Sequence, residues 1–169
     1  MGNVVDDWMR NESYFKKMEW DDEQYAALEE EFGFYLAYEE ESDRAAAVLA
    51  HARFEDWLHC RIRAQFSGVD DETARRFNVF GLFRGFRAKL KIALALGWID
   101  REIYNGLTAV NRIRNRFAHH PKPIDFSDEK IGQDCQCLVI VNHSVSSRRR
   151  YMLYLEEVRK EILRRTRQS

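Results

Sequence analysis

Proline is almost absent from this chain, with only Pro121 and Pro123 among 169 residues, and eight glycines and three cysteines complete a short supply of breakers and cross-links. So few turn signals leave long uninterrupted segments, dominated by Ala, Leu, Glu and Arg, which favour helix. Cys60, Cys135 and Cys137 are an odd set, unsuited to a disulfide framework and consistent with reduced thiols in a cytoplasmic protein. No apolar run approaches the roughly 20 residues needed to cross a bilayer. The first residues are polar and acidic rather than a secretory leader. Asp6 stands where a myristoylation motif after Met1-Gly2 has Ser or Thr. A soluble cytoplasmic protein without membrane contact is expected. Zinc-finger spacing, an RNA-binding aromatic motif and a helix-turn-helix with a basic recognition helix are all missing, so direct DNA binding is not expected. Cys135-Gln136-Cys137 beside His119 or His120 lacks the paired spacing of a structural zinc site, so no metal and no cofactor are expected.

What is present is enough apolar material for a core: 45% of residues are hydrophobic and 13% aromatic. The expected fold is all-α, a single-domain helical bundle. Its regions read as an acidic N-terminal helical stretch over 1–41, a helical core over 42–145 and a basic C-terminal helix over 146–169. The formal charge of −1 is unevenly spread. Glu29-Glu30-Glu31 and Glu39-Glu40-Glu41 lie near the start, whereas Arg148-Arg149-Arg150, Arg159-Lys160 and Arg164-Arg165 crowd the end. Such asymmetry can dock the acidic segment on the basic one, leave both solvated, or attract nucleic-acid phosphates.

Periodicity places the elements. A helix is expected from about Asp21 to Tyr38, and a long one opens at Ser42 and runs to Phe66 with the stripe Ala45, Leu49, Phe54, Leu58, Ile62 and Phe66. A short helix reaches Arg76, and Phe80-Gly81-Leu82-Phe83 turns the chain. Phe83, Phe86, Leu90, Ala93 and Leu94 mark the next buried face, closed by Gly97 as a left-handed cap with Trp98 and Ile99 packing back. Asp100 caps a helix that must stop before Pro121. Ser127 is expected to cap a further helix to about Val139, and a last one carries Tyr151, Leu155, Val158 and Ile162.

The helix after Asp100 holds the most informative stretch, Asn111-Arg112-Ile113-Arg114-Asn115-Arg116-Phe117-Ala118-His119-His120-Pro121. Ile103, Leu107, Val110 and Phe117 form its seam, and Arg114 falls on that seam, so the guanidinium needs a carboxylate, a ligand phosphate or a second subunit. Asn111, Asn115 and His119 follow one another at spacing four, and at roughly 100° per residue Arg114 and His119 lie about 140° apart across a polar strip. One copy is an incomplete pocket that a two-fold homodimer would complete. Arg114 pairing with Glu55 or Asp56 is the structural alternative, with His119 and Asn115 closing the helix end. His51, Glu55 and His59 also sit four apart, open to a metal or a proton relay, with solvated or interface polar groups the preferred reading.

Three stretches carry a family resemblance: 48–66, then Phe83-Arg84-Gly85-Phe86-Arg87-Ala88-Lys89-Leu90-Lys91-Ile92-Ala93-Leu94-Ala95-Leu96-Gly97-Trp98-Ile99, then Ile124-Asp125-Phe126-Ser127-Asp128-Glu129-Lys130-Ile131. In order and spacing they resemble the mannitol operon repressor (MltR-like) family over roughly the middle half of the chain. The resemblance implies an all-α regulator of transcription without an evident DNA-binding motif, acting through a protein partner. Arg114-Asn115-Arg116-Phe117-Ala118-His119 is similar to the R-x4-H motif of the HEPN superfamily, whose ribonucleases place a polar residue after the arginine. The second resemblance implies an alternative, a metal-independent ribonuclease acting on RNA as a toxin or defence protein. In that chemistry His119 takes the 2′-hydroxyl proton, Arg114 clamps the phosphate and Asn115 orients either group. His120 then serves as an acid or, in the preferred reading, as a helix cap, with Asn111 and Glu55 as secondary site residues.

Overall fold

A computed structural model describes residues 38, 40–66, 68–76, 78–139 and 145–167. The chain divides into two compact units, Met1–Ala37 and Tyr38–Ser169, and all described residues belong to the second. The helix expected from Asp21 therefore lies outside the described residues, save for Tyr38, which sits in a turn.

Every regular element among the described residues is helical. These elements are α1 (Asp43–Ala64), α2 (Asp71–Arg76), a 3-10 turn (Val79–Phe83), α3 (Phe86–Ala95), α4 (Arg101–His119), α5 (Glu129–Gln136) and α6 (Ser147–Arg167). The fold is an all-α helical bundle, and no helix among the described residues is long and apolar enough to cross a membrane.

Local chemistry sets the boundaries. Ser42 Oγ accepts the Ala45 N–H and starts α1. α3 ends in a Schellman turn: Gly97 adopts φ 71°, its N–H bonds Leu94 O, and the Trp98 N–H reaches back to Ala93 O at 2.9 Å. Asp100 Oδ1 accepts the Ile103 N–H at 2.9 Å and starts α4. That contact is the first cause holding the Asp100 carboxyl below its usual range, with Arg165 next. α5 begins one residue later than expected. Asp128 is its cap, because Ser127 is engaged by Asp125 Oδ1 through both its N–H (2.8 Å) and its hydroxyl (2.5 Å).

α1 and α4 form the centre, with α6 against both, α3 bridging them on another side and α5 on α4. The seam residues Ile103, Leu107, Val110, Ile113 and Phe117 are buried, as are Tyr151, Leu155, Val158 and Ile162 of α6. The stripe of α1 is Ala46, Ala47, Ala50, His51, Phe54, Leu58 and Ile62, whereas Leu49 is 43% exposed. Extending the spacing of four backwards from Phe54 gives Ala50 and Ala46; small side chains there let α6 approach until Tyr151 Oη donates to Ala47 O at 3.0 Å. Tyr154 likewise donates to Ile103 O at 3.2 Å and lies over Gly106, where a Cβ would strike its ring.

The basic run of α6 is engaged locally. Arg148 bonds Asp43 Oδ1 at 2.7 Å, Arg159 grips Glu156 with two bonds of 3.0 Å, and Arg165 joins Glu161 to Asp100 at 2.6 and 2.8 Å. The bonds that Arg164 and then Arg165 give Glu161 hold its carboxyl down at about 2. Asp43 also accepts the Phe126 N–H at 2.8 Å, so one carboxylate ties α1, α6 and the loop after α4.

Candidate functional site

Asn111 and Arg114 of the Asn111–His119 segment lie close to His51 of α1, whereas Arg112 turns to α5 and bonds Asp134 at 2.8 Å. Phase along α4 decides which way each points. Ile113 and Phe117 are fully buried, Asn111, Arg114 and Asn115 are half-buried beside them, and His119 is exposed in the last turn. Arg114 Nη1 donates to Asn115 Oδ1 at 2.9 Å, while its Nε is buried without a hydrogen-bond partner. Among the described residues no hydrogen bond links Arg114 with His119.

The pairing of Arg114 with Glu55 or Asp56, the structural alternative, does not occur. Glu55 is taken by Lys89, whose Nζ lies 2.6 Å from Oε1. A charge-assisted contact that short, to a side chain only 10% exposed, wins over a longer reach across to α4. Asp56 is exposed and lines the groove beside Glu55 and Lys89. Arg114 is thereby left with a neutral amide where a counter-charge was expected.

His51 is the second correction. Read with Glu55 and His59 as solvated or interface polar groups on a helix face, it is not solvated: it is 2% exposed, its ring packed on Phe86 with centroids 4.4 Å apart. Neither ring nitrogen makes a hydrogen bond of good geometry; Nδ1 is 3.8 Å from Glu55 Oε2. Burial drives its pKa down to about 4, with the cations Arg114 and Lys89 adding to the effect and Glu55 and the Asn111 side chain opposing it. The imidazole is therefore neutral near pH 7. His59 is only half-buried, and among the described residues no three His, Cys, Asp or Glu side chains converge as a metal site.

His120 serves the chain ending. Its N–H closes α4 on Arg116 O at 3.0 Å, and Nδ1 lies 2.9 Å from Lys122 O. Arg44 of α1 clamps the same corner by donating to the carbonyls of His120 and Lys122, both at 2.9 Å. Cys135 is buried and its thiol is pushed up to about 12 by that burial, whereas Cys137 is exposed, so the two thiols do not face a common ion.

Lys89 and the burial of His51 escaped the pattern reading, although both left a signal. Phe86, Lys89, Leu90 and Ala93 follow the spacing i, i+3, i+4, i+7, and so do Ala47, Ala50, His51 and Phe54. A polar residue on such a stripe has to be buried with partners or a ligand. On the outer side of the Glu55–Lys89 pair lies an open groove of about 430 Å³ lined by His59, Phe83 and Arg84 among others. Compared with protein families, with curated proteins and with solved structures, the chain matches none.

Proposed function

We propose that this chain is an MltR-like regulatory protein of HEPN type that works as a homodimer through a protein partner and does not read DNA. The charge state of α6 carries this reading. A duplex is held by cations free to displace its counterions. Here four of the seven arginines of the basic helix are paired with carboxylates instead: Arg148 to Asp43, Arg159 to Glu156, Arg164 to Glu161, and Arg165 to Glu161 and Asp100. The test is to purify the chain from its own cells under mild salt and to titrate it separately with duplex DNA. A stoichiometric protein partner, and no DNA complex at physiological salt, supports the proposal. Tight duplex binding with a steep salt dependence sinks it.

One observation favours a second reading, metal-independent cleavage of RNA. Arg114 lacks a carboxylate partner, so its charge is available to a phosphodiester, and His119 five residues on is open to solvent. In this chemistry His119 accepts the 2′-hydroxyl proton, the 2′-oxygen attacks phosphorus, and the 5′-oxygen leaves and takes a proton from water, giving a cyclic phosphate and a 5′-hydroxyl end. Arg114 neutralises the charge gathering on the non-bridging oxygens, and Asn115 fixes the guanidinium. Structured RNA incubated with the protein in excess EDTA separates the two readings. Cyclic-phosphate ends that vanish with His119→Ala establish cleavage, and intact RNA with well-folded protein excludes it.

A further inference from the structure

We propose that the seam between α1 and α4 is a binding site for a phosphate-class oxyanion, in which the imidazole of His51 is the second donor beside the guanidinium of Arg114. The inference rests on Arg114 belonging to the functional segment of α4 and adds a residue that no motif assigns. Three buried nitrogens there make no hydrogen bond of good geometry, the Nε of Arg114 and both of His51, which has only the Asn111 side chain beside it as a weak partner. A neutral imidazole donates through one ring nitrogen only, so the open donors are that N–H and the Arg114 Nε; buried polar atoms are nearly always satisfied, and open donors point to a missing acceptor. An oxyanion supplies several acceptors and one or two negative charges.

The charge arrangement agrees. The groups facing His51 are Glu55 from its own helix, Lys89 from α3, and Arg114 and Asn111 from α4. Glu55 and Lys89 cancel each other at 2.6 Å, which leaves Arg114 as the uncompensated charge. Asn111, Arg114 and Asn115 of α4 are half-buried and so partly reachable from solvent, and the His51 ring is packed on Phe86. Asn111 and Asn115 have amide N–H groups to complete the cradle. A ligand seated there favours the imidazolium and raises the His51 pKa; His51 stays neutral near pH 7, and binding tightens only as the pH falls toward that raised pKa.

The experiment uses the full chain with isotope-labelled histidine, titrated with inorganic phosphate or sulfate at ionic strength held constant with sodium chloride. Sulfate keeps its charge from pH 5 to 8 and serves the pH series, and a dinucleoside monophosphate distinguishes an ester from a free anion. The expected result is a saturable shift of the His51 ring resonance and a rise of its pKa from about 4 by about one unit or more on binding. Arg114→Gln should abolish the effect, and His51→Gln should weaken binding roughly tenfold, as loss of one hydrogen bond to a charged group does. A His51 resonance and pKa that phosphate moves no more than chloride overturns the proposal, a result that needs no variant to fold. Equal affinity in His51→Gln also overturns it, leaving Arg114 to hold the anion alone. Partner capture or RNA cleavage that persists without anion binding defeats this inference and leaves the proposed function standing.

Discussion

The two central helices present contrasting faces to their neighbours. Where α6 packs on α1 and α4, the polar atoms of the buried tyrosines are matched: Tyr151 Oη finds Ala47 O and Tyr154 Oη finds Ile103 O. Where α3 bridges the same helices, His51 and Arg114 bury three nitrogens that find no hydrogen bond of good geometry. Both faces are helical and both carry ring contacts, Phe86 with His51 and Phe54 on one and Tyr151 with Phe126 on the other. The difference lies in which groups are satisfied. On the α6 side the tyrosine hydroxyls close their hydrogen bonds within the chain, although the Nε of Arg61, which reaches α6 at Thr166, stays open. On the other side a whole imidazole is left open, which forgoes stability there. On this account the tyrosine face is scaffold and the histidine face is the site.

Substitutions on the scaffold face should have the largest effects. Tyr154→Ala should cost about 4 kcal/mol in urea unfolding, from lost burial and the cavity left behind, whereas Tyr154→Phe should cost only about 1. Acidification should come next, acting through His51. Its folded pKa is about 4 against an ordinary 6.5, so the unfolded chain takes up the proton first as pH falls. Stability from this group is complete above about pH 6.5 and lost progressively down to pH 4, by at most about 3 kcal/mol. Subtracting the pH profile of His51→Gln from that of the parent isolates this contribution from the carboxylates. Gly106→Ala should follow at about 2 kcal/mol, despite the better helix propensity of Ala, because the added Cβ meets the Tyr154 ring; thermal unfolding reads it. If that variant proves stabilising, the close approach of α6 to α4 is wrong.

Much of the scaffold was legible in the residues themselves. Ser42, Gly97, Asp100 and Pro121 mark helix ends by local chemistry that acts within four residues, and the seams of α4 and α6 follow from spacing alone. Asp128 replaced Ser127 as a cap because two neighbouring residues of equal capping strength compete, and the Asp125 turn decides between them. On α1, preferring the larger Leu49 misplaced the first half of the stripe, since close helix approach selects alanine over bulk. The site was half legible. The sequence names Arg114, Asn115 and His119, but which cation Glu55 takes depends on the packing of α3 against α1, a distance of 34 residues along the chain. Long-range competition for one carboxylate leaves no periodic trace.

The central claim is that Arg114 is held at the α1–α4 seam for a ligand and not for the fold. Urea unfolding of Arg114→Ala beside the parent tests it directly. The account predicts a change within about 0.5 kcal/mol, because the guanidinium bonds only the adjacent Asn115 and its Nε is already unsatisfied. A loss of about 2 kcal/mol or more would make Arg114 a structural residue and contradict the account.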